Sequence, residues 1–267
     1  MIRDITLGQY YPADSILHKL DPRVKLVTTM VFLVALFVAN DWAGYLVATF
    51  FLVTVIRLSK VPFHFMVKGL KAIFFILLIT LIFNLFLTPG DVVLVQIWKL
   101  KITDKGLRTA IFMAVRLIYL ILGTSVMTLT TTPNDLTDGL EKLLSPLKKL
   151  RVPVHEVSMM MSIALRFIPI LLEETDKIMK AQIARGADFE HGNLVQKAKN
   201  LVPLLVPLFI SAFRRANDLA MAMEARCYRG GAGRTKMKPL VYARRDYYAY
   251  AVVALFLAAI IAVRVVL

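Results

Sequence analysis

Five stretches of fifteen residues or more run without a single charged residue, at 26–40, 42–56, 72–90, 117–134 and 247–263. A membrane-spanning α-helix takes roughly 17–25 mainly apolar residues. With their flanks, these stretches predict spans at about 24–39, 42–56, 72–87, 107–129 and 247–266. The punctuation fits: Pro22 suits the first turn of a helix with Asp21 placed to cap it, and Asn40-Asp-Trp42 reads as a tight turn. Thr88-Pro-Gly-Asp91 is a strong breaker, and the short β-branched run 92–101 predicts a small extracellular hairpin.

After Pro133 the pattern changes from continuous to periodic. Leu136, Leu140, Leu143, Leu144 and Leu147 recur at helical spacing with charges between them, so 134–150 predicts an amphipathic helix. Residues 155–186 read as one long helix, roughly 48 Å at 1.5 Å per residue. It is apolar and Met-rich at first (Met159, Met160, Met161), is interrupted by Arg166 and Pro169, and is charged after Glu173. Residues 194–228 repeat the design, with Pro203 and Pro207 one turn apart and Gly230-Gly-Ala-Gly233 as the stop. Such a gradient predicts helices partly at the lipid interface whose far ends emerge into cytosol. The expected fold is an all-α polytopic membrane protein, with about five transmembrane helices and two or three long amphipathic cytoplasmic helices. Three regions follow: an N-terminal membrane domain with four spans (1–132), a cytoplasmic or interfacial helical domain (133–245) and a C-terminal transmembrane helix (246–267).

Composition narrows the class. Hydrophobic residues make up 58% of the 267 and charged residues only 19%, with a mean hydropathy of +0.67. That excludes an ordinary soluble enzyme, a disordered chain and a secreted disulfide scaffold. The one cysteine, Cys227, allows no intrachain disulfide, and the first residues lack the charged-then-apolar pattern of a cleaved signal. The net charge of +15 reads as the positive-inside excess of a membrane protein rather than a nucleic-acid footprint, because the basic residues alternate with Leu, Val and Met. The link holding Arg57, Lys60, His64, Lys68 and Lys71 carries no acid, which places it and the N-terminus in the cytoplasm. Lys99, Lys101 and Lys105 run against that orientation. Arg116, inside the fourth predicted span, is costly at that depth. Two readings of it stay open, a functional cation or one that faces protein interior.

Both long helices finish in nearly the same words, Ala181-Gln-Ile-Ala-Arg-Gly186 and Ala222-Met-Glu-Ala-Arg-Cys227, 41 positions apart. Alanines keep a helix thin enough to lie deep in a groove, and Gly186 suits a left-handed C-terminal cap. An arginine at the tip offers a planar fork of five donors, suited to bidentate capture of a partner's carboxylate. A single such cation would merely complement the helix dipole. Two copies point to docking.

With these motifs in hand, the chain resembles the transmembrane T-component (EcfT, CbiQ-like) of energy-coupling factor transporters, the ABC-type vitamin and metal importers. The resemblance covers essentially the whole chain. It rests on Leu20-Asp-Pro-Arg-Val-Lys-Leu26, Ala164-Leu-Arg-Phe-Ile-Pro169, Ala184-Arg-Gly186 continuing into Ala187-Asp188, Arg214-Arg-Ala-Asn-Asp-Leu-Ala220, and Ala222-Met-Glu-Ala-Arg-Cys-Tyr-Arg229. In the family, two Ala-Arg-Gly motifs end the coupling helices that dock onto two cytoplasmic ATPases. Ala184, Arg185 and Gly186 match fully; Ala225 and Arg226 match, and Cys227 stands where the pattern has Gly.

The resemblance implies a scaffold between two cytoplasmic ABC ATPases (EcfA-type) and a membrane S-component that captures the vitamin or metal ion. It implies localisation in the cell membrane as a multi-pass protein, in contact with lipid and not with nucleic acid. It also implies no cofactor bound directly, with ATP and Mg on the partner ATPases. Consistently, no GxxxxGK[ST] loop, HExxH motif or convergent Ser/Lys pair is present, so the chain is not expected to be an enzyme. Met159, Met160 and Met161 would suit an adaptable surface for the S-component, or plain packing. Pro169, Pro203 and Pro207 are candidate helix bends. The rival is a stand-alone secondary transporter, supported only by Arg116, Asn84 and Thr80 near a span midplane. His18, His64, His155 and His191 are scattered and read as ordinary surface or interfacial residues.

Overall fold

The computed structural model describes residues 10–89, 93–97, 100–187, 189, 193–231 and 235–266. Gly90 and Asp91 of the predicted breaker, Lys99, Asp188, His191 and Gly233 lie outside the described residues. The elements in chain order are α1 (Pro22–Val38), α2 (Trp42–Ser59), α3 (Phe63–Leu87), β1 (Val93–Ile97), β2 (Leu100–Thr103), α4 (Asp104–Thr130), α5 (Pro133–Leu144), a 3-10 helix (Ser145–Leu150), α6 (Val154–Ala184), α7 (Leu194–Ala225) and α8 (Arg244–Val266). They form two compact units, one of Gly8–Lys142 with Leu240–Leu267, the other taking in Leu143–Pro239.

Among the described residues, four helices, α2, α4, α6 and α8, are long and apolar enough to cross a membrane. The two halves of α3, bent by 61° between Lys71 and Ile73, make a fifth span if taken together. The all-α polytopic expectation therefore holds, with one shift in which helices qualify. At 17 residues α1 sits at the short limit for a span, whereas the apolar first half of α6 brings that helix into the set. The α3 helix also begins nine residues before the charge-free run, at Phe63. Pro62 stands at its N-cap, so of the basic link Arg57 and Lys60 end α2 while His64, Lys68 and Lys71 lie in the first turns of α3. The hairpin is present as two antiparallel strands, Gln96 facing Lys101 and Ile97 facing Leu100.

In the first unit, α1 packs on α4 and α8, α2 on α4 and α8, and α3 on α4. Phe32, Leu36, Leu52, Leu122, Val126, Phe256 and Ile260 form the buried core. Its centre is a stack of rings, Phe51 and Phe256 at 4.2 Å and Phe32 within 6.0 Å of each. The polar chemistry is pushed to the helix ends, where unpaired carbonyls would otherwise be buried. Lys25, in the first turns of α1, is only 7% exposed and donates its Nζ to the carbonyl of Thr130, the last residue of α4, at 2.7 Å, and to that of His18 at 3.3 Å. The reverse contact comes from α4. Arg116 donates Nη2 to the carbonyl of Ala39, the C-cap of α1, at 3.2 Å and Nε to the Tyr45 hydroxyl at 3.0 Å. Each helix thus supplies the cation that satisfies the other's negative end.

That resolves Arg116 as a positioning residue facing protein. Replacing it with Met should lower stability by about 2 kcal/mol, the value of hydrogen bonds made by a charged group. It should appear as a melting shift of several degrees in detergent, with α1 and α2 the first elements to exchange amide protons.

A second junction joins the ends of α1 and α8. Asp21 caps α1, its Oδ1 accepting the Arg23 N–H at 2.9 Å, and pairs with the Arg23 guanidinium at 2.7 Å. Arg23 also donates to the Leu240 carbonyl and lies 3.9 Å over the Tyr242 ring. From α8, the buried carboxylate of Asp246 accepts the backbone N–H of Asp21 at 2.9 Å and that of Ala243 at 2.7 Å. Helix α5 closes over the same place: a Cβ on Gly139 would sit 3.0 Å from the Pro22 side chain. The Leu20–Leu26 motif is therefore a structural knot.

Candidate functional site

Helices α6 and α7 pair antiparallel within the second unit. Glu174 of α6 accepts from the Ser211 hydroxyl at 2.6 Å and from Arg215 Nη2 at 2.7 Å and Nε at 3.2 Å, both on α7. Nearer the end of α6, Gln182 Nε2 donates to the carbonyl of Pro203 at 3.3 Å. The choice of acceptor has a local cause. Pro207, one turn on, has no N–H to give the Pro203 carbonyl its helical bond, so the two prolines leave that oxygen free and Gln182 takes it. Pro169, Pro203 and Pro207 all lie inside continuous helices, so α6 is the one long helix that the sequence predicts at 155–186.

The antiparallel pairing sends the two arginine tips to opposite ends of this helical hairpin. From the level of Gln182 and Pro203, Arg185 lies three residues one way and Arg226 twenty-three the other. At 1.5 Å per residue the separation is on the order of 40 Å.

The tips have the same geometry. Ala184 ends α6, Arg185 is its C-cap, and Gly186 takes a positive φ of 89°. The Gly186 N–H bonds to the Ile183 carbonyl and the Ala187 N–H to that of Gln182. Ala225 ends α7, Arg226 is its C-cap, and Cys227 takes a φ of 55°, its N–H on Glu224 and that of Tyr228 on Met223. Both are Schellman closures, bond for bond. The stop of α7 is thus Ala225–Cys227, not Gly230–Gly233, because the left-handed residue at 227 already consumes the last carbonyls. Cys227 does this with a Cβ, which costs about 1 kcal/mol relative to glycine. Cys227→Gly should therefore raise stability by about that amount, read as a higher melting midpoint with transport retained.

Arg185 and Arg226 are both exposed, and neither guanidinium has an ion-pair partner among the described residues. The flanking Ala181, Ala184, Ala222 and Ala225 are exposed too, so each tip is a thin rod with one cation. Around Arg226 the surface hollows into a pocket of about 480 Å³ lined by Met159 and Ile163 of α6 and by Leu219, Met223, Cys227 and Tyr228. The methionine run divides there: Met159 lines the pocket, while Met160 and Met161 are exposed. Along α7, Val202, Val206, Phe209 and Phe213 make an exposed apolar stripe. Leu204 is buried, and Ser211 and Arg215 face α6. Among the described residues no group of three or more His, Cys, Asp or Glu side chains is placed to hold a metal ion.

The family profile of CbiQ, described as cobalt transport protein, matches residues 13–237. The chain is 60% identical over 250 residues to the energy-coupling factor transporter transmembrane protein EcfT of Clostridium kluyveri, covering 93% of both chains. Proteins of the same name from Thermosediminibacter oceani and Bacillus subtilis are 55% and 51% identical, over 93% and 92% of this chain and 94% and 93% of theirs. The chain belongs to the CbiQ family. Like its EcfT relatives it is a multi-pass transmembrane component of an energy-coupling factor transporter. Both tips and the α1 side of the knot, Asp21 and Arg23, fall within the part matched by the CbiQ family.

Three groups escaped the sequence reading. Asp246 reads as one acid among the charges before the last span, with no signal that it reaches Asp21. Gln182 sits at a variable position of the tip motif, and only the i, i+4 spacing of Pro203 and Pro207 hints that a carbonyl needs a donor. Glu174 is one of two adjacent acids, and nothing local distinguishes it from Glu173.

Proposed function

We propose that this CbiQ-family chain is the non-catalytic coupling subunit of its transporter, joining two cytoplasmic ABC ATPases to a substrate-capturing membrane S-component. The observation that carries the reading is the pair of matching tips, each with an exposed cation that has no carboxylate partner among the described residues, about 40 Å apart on one hairpin. A partner with two equivalent acidic grooves, as a dimer of like subunits would present, matches that duplication. The Glu174 clasp and the Gln182 bond hold the two helices as one lever, which is what transmits opening and closing of a motor. Pro169, Pro203 and Pro207 then set the line of each lever, and Met160, Met161 and the α7 stripe supply apolar surface for lipid or the S-component. The tips and the N-terminus face the cytoplasm in this reading, following the basic α2–α3 link. ATP and Mg reside on the ATPases and the chain itself binds no cofactor.

The test is co-expression. With two ATPases and an S-component from the same genome, the chain should purify as a complex and support ATP-driven uptake in proteoliposomes. Uptake by the chain alone, driven by an ion gradient, would instead favour a secondary carrier.

A further inference from the structure

The first unit contains a cleft of about 350 Å³ that the coupling role does not use. It lies between α1, α2, α4 and α8 and has two chemically distinct ends. One is apolar, walled by Phe32, Phe51, Leu52 and Val253. The other, at the level where α1 and α8 begin and α4 finishes, carries Lys25, Arg245 and the hydroxyl of Thr28. Its volume falls within the range of small-molecule sites, roughly 300–1,000 Å³, which are mainly apolar with a few polar groups.

The cationic end has no close ion pair among the described residues; the carboxylates of Asp21, Asp135 and Asp246 act on Lys25 only from beyond salt-bridge distance. Lys25 is buried, and its ammonium meets two carbonyl oxygens and no carboxylate within 4 Å among the described residues. Two of its three donors are thereby used. Arg245 is exposed, and no ion pair or hydrogen bond holds its guanidinium among the described residues. Two cations at one end of an apolar slot, Lys25 buried and Arg245 exposed, match an amphiphile with an anionic head in a membrane-spanning unit.

We propose that this cleft holds one anionic glycerophospholipid, with an acyl chain between Phe32 and Val253 and its phosphate at Arg245 and Lys25. A chain of net charge +15 draws anionic lipid to its surface in general, so the bound lipid is distinguished by a selectivity that depends on Arg245 and not on a cation elsewhere. The lipid would act as a wedge fixing α8 against α1 and α2.

The test uses the purified transporter complex in nanodiscs containing equal phosphatidylglycerol and phosphatidylcholine with identical acyl chains, followed by native mass spectrometry. One phosphatidylglycerol per copy of this chain should survive detergent stripping, retained at least five-fold over phosphatidylcholine. Arg245→Gln, at an exposed position that leaves folding intact, should bring retention of the two lipids to the same level. Arg264→Gln, at the far end of α8, should change nothing. Ala249→Trp, which fills the slot, should lower retention of both lipids. Equal retention in the unaltered protein, unchanged selectivity in Arg245→Gln, loss in Arg264→Gln, or full retention in Ala249→Trp would each overturn the proposal.

Discussion

Reversing both tip cations, Arg185→Glu with Arg226→Glu, should abolish ATP-driven uptake and release the ATPases from the complex. Breaking one partner of a desolvated, hydrogen-bonded charge pair typically costs about 2–5 kcal/mol, and a reversal adds repulsion from the acids that would have been paired. The tips stand tens of ångströms apart, beyond the range at which substitutions couple, so the two losses should add. Each single reversal should weaken assembly by at least about tenfold, and the double variant by the product. Lysine at either position keeps the charge but loses the planar fork, so it should fall between wild type and glutamate. Retention of ATPases on affinity-purified chain, beside uptake in proteoliposomes, gives both readouts. A double variant that assembles and transports normally would remove the arginines from the docking account.

The second large effect concerns stability. Asp246→Ala leaves the buried N–H of Asp21 and the half-buried N–H of Ala243 without acceptors, at a cost of about 1–3 kcal/mol for the first and less for the second. We expect a total loss of about 3 kcal/mol, with α8 detaching first, measured by thermal unfolding in detergent and by amide exchange in α1 and α8. Asp246→Asn keeps an acceptor and should lose about half as much. Acid should weaken the same knot. Burial pushes the Asp21 carboxyl up, but the Arg23 hydrogen bonds and the charges of Arg23 and Lys25 outweigh it and hold it below the usual aspartate value. Its contribution is therefore complete above about pH 4 and fades as pH falls through that lowered value. A pH–stability profile still flat well below pH 4 would contradict this.

Much of the helix inventory could be read directly. Charge-free runs mark the helices of a bilayer protein because a charge there is expensive, and Pro22 and Asp21 opened α1 as local rules require. The tips were legible because a Schellman closure is a local device, needing only a residue at positive φ and a few carbonyls behind it. The sequence misjudged where α7 ends because it credited the glycines at 230–233, while Cys227 tolerates φ 55° one turn earlier.

By itself, then, the sequence determined which segments are helices, that the chain crosses a membrane, and where its two cationic tips lie, since each depends on residues within a few turns of one another. Only the tertiary structure decided that α8, last in the chain, packs with α1 and α2. It alone showed that Lys25 and Arg116 cap each other's helices, that Asp246 reaches back to Asp21, and that the tips point to opposite ends of one hairpin. Those facts rest on contacts between residues as many as 225 positions apart. Hydropathy and spacing carry no record of which buried carbonyl a distant cation will find; the packing of the helices brings the two together.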